Sequence, residues 1–204
     1  MITPTKITLS AQERQLVANS DWILTKHVIT GKVYQLLGAL SESYKRLLDN
    51  EREWLPAMVV NSEPKIYKGE NYRQLPYVLL DHPRCFSVTD VFAIRTLFWW
   101  GNFFSITLQL SGHCKTMFLL ALHKNLPAIQ SGPYYICVND DAWQHHFNVD
   151  NYMAAAAAET ATLKEMLEDK PFIKLALSFP LDQWDEMPAI LERSFFEMLQ
   201  LLKA

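Results

Sequence analysis

Six consecutive residues, Leu80-Asp81-His82-Pro83-Arg84-Cys85, set a carboxylate, an imidazole, a guanidinium and a thiol behind a strand-like run. Loops at strand ends are frequent carriers of function. Asp81 and Arg84 also suit ion pairing at a tight proline turn. Cys85 would act as a nucleophile only with a lowered pKa and a base beside it. A second group, Asn139-Asp140-Asp141 with His145-His146, offers carboxylates and imidazoles of the kind that move protons or hold metals. Neighbouring histidines diverge on a strand and lie about 100° apart on a helix, so one of the pair at most reaches a given site. His82 and His113 could join them only through folding. The Asn139–Asp141 run also reads as a turn and helix cap. No metal ligand set is assigned and the cofactor is unknown. GxGxxG, P-loop, GxSxG, EF-hand and HExxH patterns are all missing, which disfavours the classical dinucleotide, ATP and hydrolase sites.

Gly101-Asn102 divides two apolar, strand-like runs, and a two-residue hairpin turn fits because both residues tolerate positive φ. That turn sets Trp100 opposite Phe103, Trp99 opposite Phe104, Leu97 opposite Ile106 and Arg95 opposite Leu108. Alternation then gives two faces. Ala93, Arg95, Leu97 and Trp99 join Phe104, Ile106, Leu108 and Leu110 on an apolar core face. Phe92, Ile94, Thr96, Phe98 and Trp100 join Phe103, Ser105, Thr107 and Gln109 on a mixed face. Arg95 is the one charge on the core face and needs a carboxylate, carbonyls or an anionic ligand, because an unpaired buried guanidinium costs several kcal/mol. Asp81 and Glu70 are its nearest acidic candidates in sequence. The mixed face is read as covered by a helix, open as a pocket, or joined to a second copy.

The elements that would position these groups follow from periodicity. Ser10-Ala-Gln-Glu13 is a capping box that starts a helix within 11–29, and Gly31 is read as a break before a second helix near 31–49. Strands follow at 66–67, 77–80, 91–100, 103–110 and 134–138, with a buried helix at 114–130 crossing between the last two. The alanines at 154–158 are read into a helix ending before Pro171, 172–179 into one more strand, and Asp182 as the cap of a final helix at 183–203. The expected fold is therefore α+β in a single domain over 1–204. A mainly antiparallel sheet holds the aromatic hairpin at about 91–110, with N- and C-terminal helices packed on it.

Half of the residues are apolar and 12% are aromatic, including six Trp and eleven Phe, which favours a packed body over disorder. The net charge of −3 comes without any basic run, so nucleic acid and anionic membranes are disfavoured as partners. The three cysteines, Cys85, Cys114 and Cys137, are widely spaced and read as buried thiols. With no apolar leader and no stretch long enough to span a bilayer, the expected location is cytoplasmic.

The runs Gly69-Glu70-Asn71-Tyr72, Leu75-Pro76-Tyr77-Val78-Leu79-Leu80-Asp81 with Pro83-Arg84, and above all Phe92-Ala93-Ile94-Arg95-Thr96-Leu97-Phe98-Trp99-Trp100-Gly101-Asn102-Phe103-Phe104, resemble a family of uncharacterised bacterial proteins, mainly from Bacteroidetes. Trp143-Gln144-His145-His146-Phe147 belongs to the same resemblance, which covers about 60–150. It implies no activity, cofactor or catalytic set.

Three functional readings remain open. In the first, the chain binds a small, anionic ligand or a protein partner, with Asp81, Arg84, Arg95, Thr96, Trp100, Ser105, Thr107 and His146 as binding candidates. In the second, it is an enzyme doing acid/base or metal-assisted chemistry around Asp81, Arg84, His145 and His146. In the third, it self-associates, as a homodimer through the aromatic face.

Overall fold

A computed structural model describes residues 7–203. Ser10 and Glu13 form the reciprocal capping box, with Ser10 N donating to Glu13 Oε2 at 2.6 Å and Glu13 N to Ser10 Oγ at 3.2 Å. Helix α1 (Ala11–Ala18) runs only as far as Asn19, whose side chain caps α2 (Ser20–Asn50) by accepting from Asp21 N. The helix break thus falls at Asn19 and not at Gly31, which sits inside 31 continuous helical residues. A capping side chain ends one helix and starts the next, whereas an exposed glycine costs a helix only about 1 kcal/mol.

The short α3 (Ala57–Val60) leads into β1 (Lys65–Tyr72), β2 (Leu75–Phe86), β3 (Val91–Trp99) and β4 (Phe103–Ser111). Then come α4 (Gly112–Lys124), α5 (Leu126–Ser131), β5 (Tyr135–Cys137), β6 (Tyr152–Ala154), α6 (Thr160–Asp169), β7 (Phe172–Pro180) and α7 (Met187–Gln200). The alanine run is a strand end and a 3₁₀ turn, with α6 starting only at Thr160, and α7 starts at Met187 rather than at Asp182. The strands form one antiparallel sheet in the order β1-β2-β3-β4-β7-β5-β6, so the fold is α+β. Among the described residues no helix is long and apolar enough to cross a membrane.

The hairpin loop has three residues, Trp100-Gly101-Asn102, with Gly101 at φ +70° and Asn102 Nδ2 donating to the Trp100 carbonyl at 2.8 Å. Trp99 therefore pairs with Phe103, Leu97 with Ser105 and Arg95 with Thr107, one residue away from the two-residue register. Such a slip exchanges the faces of one strand relative to the other. Phe92, Ile94, Phe98, Phe104, Ile106, Leu108 and Leu110 face the helices and join Val33, Leu37, Phe118, Phe195 and Leu199 in the main core. Arg95 leaves the apolar face and lies with Ser105, Thr107 and Gln109 on the opposite side of the sheet.

Two sequence candidates are displaced by the same slip. Thr96 faces the helices, and its hydroxyl meets Tyr44 OH from α2 at 3.1 Å in the buried interior. Trp100 sits in the turn, half-buried against that core, with its ring 6.0 Å from Phe98. Both serve packing and not the polar face. Helices cover one hairpin face, and on the other Trp143 and Phe147 of the 138–151 segment meet Arg95 and Phe103. The exposed large apolar side chains include Leu16, Val17, Trp22, Ile23, Leu24 and Val28, on α1 and the start of α2.

Candidate functional site

Register writes a polar grid onto the face turned away from the helices. Lys65, Asp81, Arg95, Thr107 and Ala176 form one row across β1, β2, β3, β4 and β7. The next row is Arg84, Ala93, Gln109 and Lys174. An irregularity in β2 between Asp81 and Arg84 brings both onto this face. It sends His82 the other way, where its ring lies 6.5 Å from Tyr44. The alanines leave room between the longer polar side chains.

Asp81 is 2% and Arg95 5% exposed, and Arg95 Nε donates to Asp81 Oδ1 at 2.8 Å. Arg95 Nη2 donates to Tyr67 OH at 2.6 Å. That leaves Nη1 buried with no hydrogen-bond partner among the described residues. Glu70, the other acidic candidate, pairs with Lys26 of α2 instead. Lys174 is 1% exposed, and its ammonium donates to the Gln144 carbonyl at 2.6 Å and lies 5.2 Å from the Tyr152 ring centre. Burial, with Arg95 adding to it, pulls Lys174 down from 10.5 to about 8.

The 138–151 segment is a strap over this grid. Asn139 Oδ1 accepts from Asp141 N, and Asp141 Oδ1 from Trp143 N, so the Asn139–Asp141 run is a turn. Tyr72 OH accepts from the backbone of His145 at 2.8 Å and of His146 at 3.1 Å. Phe147 stacks on Tyr152 and meets Phe103 and Tyr135 edge-on, pinning the strap's far end. His145 rests 5.4 Å from the Tyr72 ring. Burial, then the nearby Arg95 and Lys174 cations, holds its imidazole well below 6.5 and therefore neutral. His146 is turned toward Asp150, with Nδ1 3.8 Å from its carboxylate. Burial raises the thiols of Cys85, Cys114 and Cys137, the reverse of what a nucleophilic cysteine needs.

Trp143 is the strap residue that meets the cation row. It is 52% exposed, its ring centre is 5.1 Å from the Arg95 guanidinium carbon, and it lies 6.0 Å from the Phe86 ring. Two clefts share the Phe86–Trp143 wall. One, of about 290 Å³, is lined by Lys65, Tyr67, Asp81, Arg84, Phe86, Arg95 and Trp143. The other, of about 350 Å³, reaches Gln109, Ser111, Ala142 and Phe172.

Of the sequence candidates, Asp81, Arg84 and Arg95 converge in the first cleft, Ser105 and Thr107 lie buried on the same face, and His146 is drawn away toward Asp150. Lys65, Tyr67, Trp143 and Lys174 were not among them. Lys174 did leave a trace in the sequence, as a lone cation in the apolar run Phe172-Ile173-Lys174-Leu175-Ala176-Leu177. Compared with protein-family models, curated proteins and solved structures, the chain matches none.

Proposed function

We propose that this chain binds a small anionic ligand, a carboxylate or phosphate carried on a flat body, in the cleft between Arg84, Arg95 and Lys65. The observation that carries the reading is Arg95 Nη1, buried without a partner in a guanidinium whose other nitrogens are occupied. A bare guanidinium N–H is costly to bury, and a ligand oxygen would satisfy it with a charge-assisted hydrogen bond. Three cations line the cleft against the single Asp81 carboxylate, which favours negative charge. Phe86 and Trp143 supply flat apolar walls.

The acid–base reading through Asp81, Arg84, His145 and His146 has weaker support. Asp81 is engaged by Arg95, and His145 and His146 do not line the cleft.

Thermal shift against a panel of inorganic phosphate, benzoate and ribose 5-phosphate tests the proposal. Millimolar benzoate or a phosphate should raise the melting temperature of the wild type. The shift should vanish in Arg84→Ala, an exposed position whose loss should cost the fold little. A wild type indifferent to all three anions, or an Arg84→Ala variant stabilised as much as wild type, would sink the idea.

A further inference from the structure

Gln109 lies in the middle of β4 on the strap side of the sheet, 1% exposed. Its buried Oε1 has no hydrogen-bond partner, and no described residue hydrogen-bonds the side chain at all. Buried carboxamides in folded proteins are normally satisfied, so a bare one calls for an explanation. Its neighbours across the sheet are Ala93, which has nothing to offer it, and Lys174, whose hydrogen bond goes to the Gln144 carbonyl. Gln109 lines the second cleft, which shares Phe86 and Trp143 with the anion cleft. Trp143 is half-exposed and, stacked over the Arg95 guanidinium beside Phe86, borders both clefts.

We propose that Gln109 is the second anchor of one ligand. The anion held at Arg84 and Arg95 continues as a flat ring past Phe86 and Trp143 and presents to Gln109 an edge with an adjacent donor and acceptor. A carboxamide side chain offers its own donor and acceptor side by side and pairs bidentately with such an edge. The chemistry belongs equally to a primary carboxamide on an aromatic acid and to the amino-heterocycle edge of a nucleotide. This rests on the anion-site reading of the neighbouring cleft.

Calorimetric titration with two matched pairs of probes tests the anchor separately from the anion site. Benzoate is compared with 4-carbamoylbenzoate, and ribose 5-phosphate with adenosine 5′-monophosphate. The wild type should bind at least one of the longer probes about tenfold more tightly than its truncated partner. The pair that shows the preference identifies which source the ligand has. Gln109→Met should erase the preference, bind the truncated probe as wild type does, and melt no lower than wild type, because no native hydrogen bond is lost. Gln109→Asn, one methylene shorter with the same chemistry, should keep the fold and lose most of the preference. Truncated probes that bind without any gain in the longer ones overturn the anchor and leave the anion site standing. Failure of every probe overturns both.

Discussion

Asp81 and Arg95 face each other directly across β2 and β3, with Arg95 Nε 2.8 Å from Asp81 Oδ1 and both side chains almost wholly buried. The pair gains its strength from mutual dependence, because either charge alone would be stranded in a dry environment. Asp81→Asn should therefore cost about 3–5 kcal/mol in urea unfolding. Asp81→Leu combined with Arg95→Met should recover most of that loss while abolishing anion binding. A double variant as unstable as the single one would show that the cost of Asp81→Asn does not come from a stranded Arg95 charge.

The Tyr44–Thr96 contact fastens α2 to the sheet on the side away from the clefts. Tyr44→Phe leaves the Thr96 hydroxyl unpaired in the core and should cost on the order of 1–3 kcal/mol. Tyr44→Phe with Thr96→Val should return toward wild type. Neither variant should change probe binding, and a binding defect in Thr96→Val would restore Thr96 to the site.

Lys174 should make stability rise with pH above neutrality. Its folded pKa of about 8 lies below the 10.5 of the free side chain, so between those values the unfolded chain holds the extra proton. Stability then climbs as pH passes from 8 toward 10, by up to about 3 kcal/mol. Near and above pH 10 the unfolded chain's tyrosines oppose the trend, since burial raises Tyr67 to about 12 in the folded state. Urea midpoints at pH 7.5 and 9.5 report the climb, and Lys174→Met should flatten it.

Acid acts through His82. Burial lowers this imidazole from 6.5 to about 4, against the backbone contact with Ser41. The folded pKa is the depressed one, so its contribution is intact above pH 6.5 and is lost as pH falls toward 4. The loss is on the order of 3 kcal/mol, with His145 adding in the same direction. His82→Gln should shrink the slope of stability between pH 6.5 and 4. An unchanged slope would assign acid sensitivity to His145 and the carboxylates.

The capping box, the antiparallel strands and the need of Arg95 for a partner, with Asp81 one of two acidic candidates, are legible in the sequence, because each rests on local chemistry or on a charge that must be compensated. The hairpin register is not. Val91–Trp99 is buried on both faces, so alternation gave no check on whether Gly101-Asn102 or Trp100-Gly101-Asn102 formed the loop. One residue of slip takes Thr96 and Trp100 away from Ser105 and Thr107 and puts Arg95, already a binding candidate, on the same face as those hydroxyls. The meeting of Trp143 and Lys174 with the site is illegible for a different reason. The strap meets the grid across strands distant in sequence, and no periodicity encodes that meeting.

Strand β7 lies between β4 and β5 in the sheet, although it follows both in the chain. A nascent chain that has emerged only through the strap possesses Arg84, Arg95 and Trp143 but lacks Lys174 and the strand against which β5 aligns. Until Phe172–Pro180 inserts, the strap lacks the Lys174 ammonium that holds the Gln144 carbonyl. Affinity for the proposed anion should therefore rise sharply once Phe172–Pro180 has inserted, making it a readout of a completed sheet.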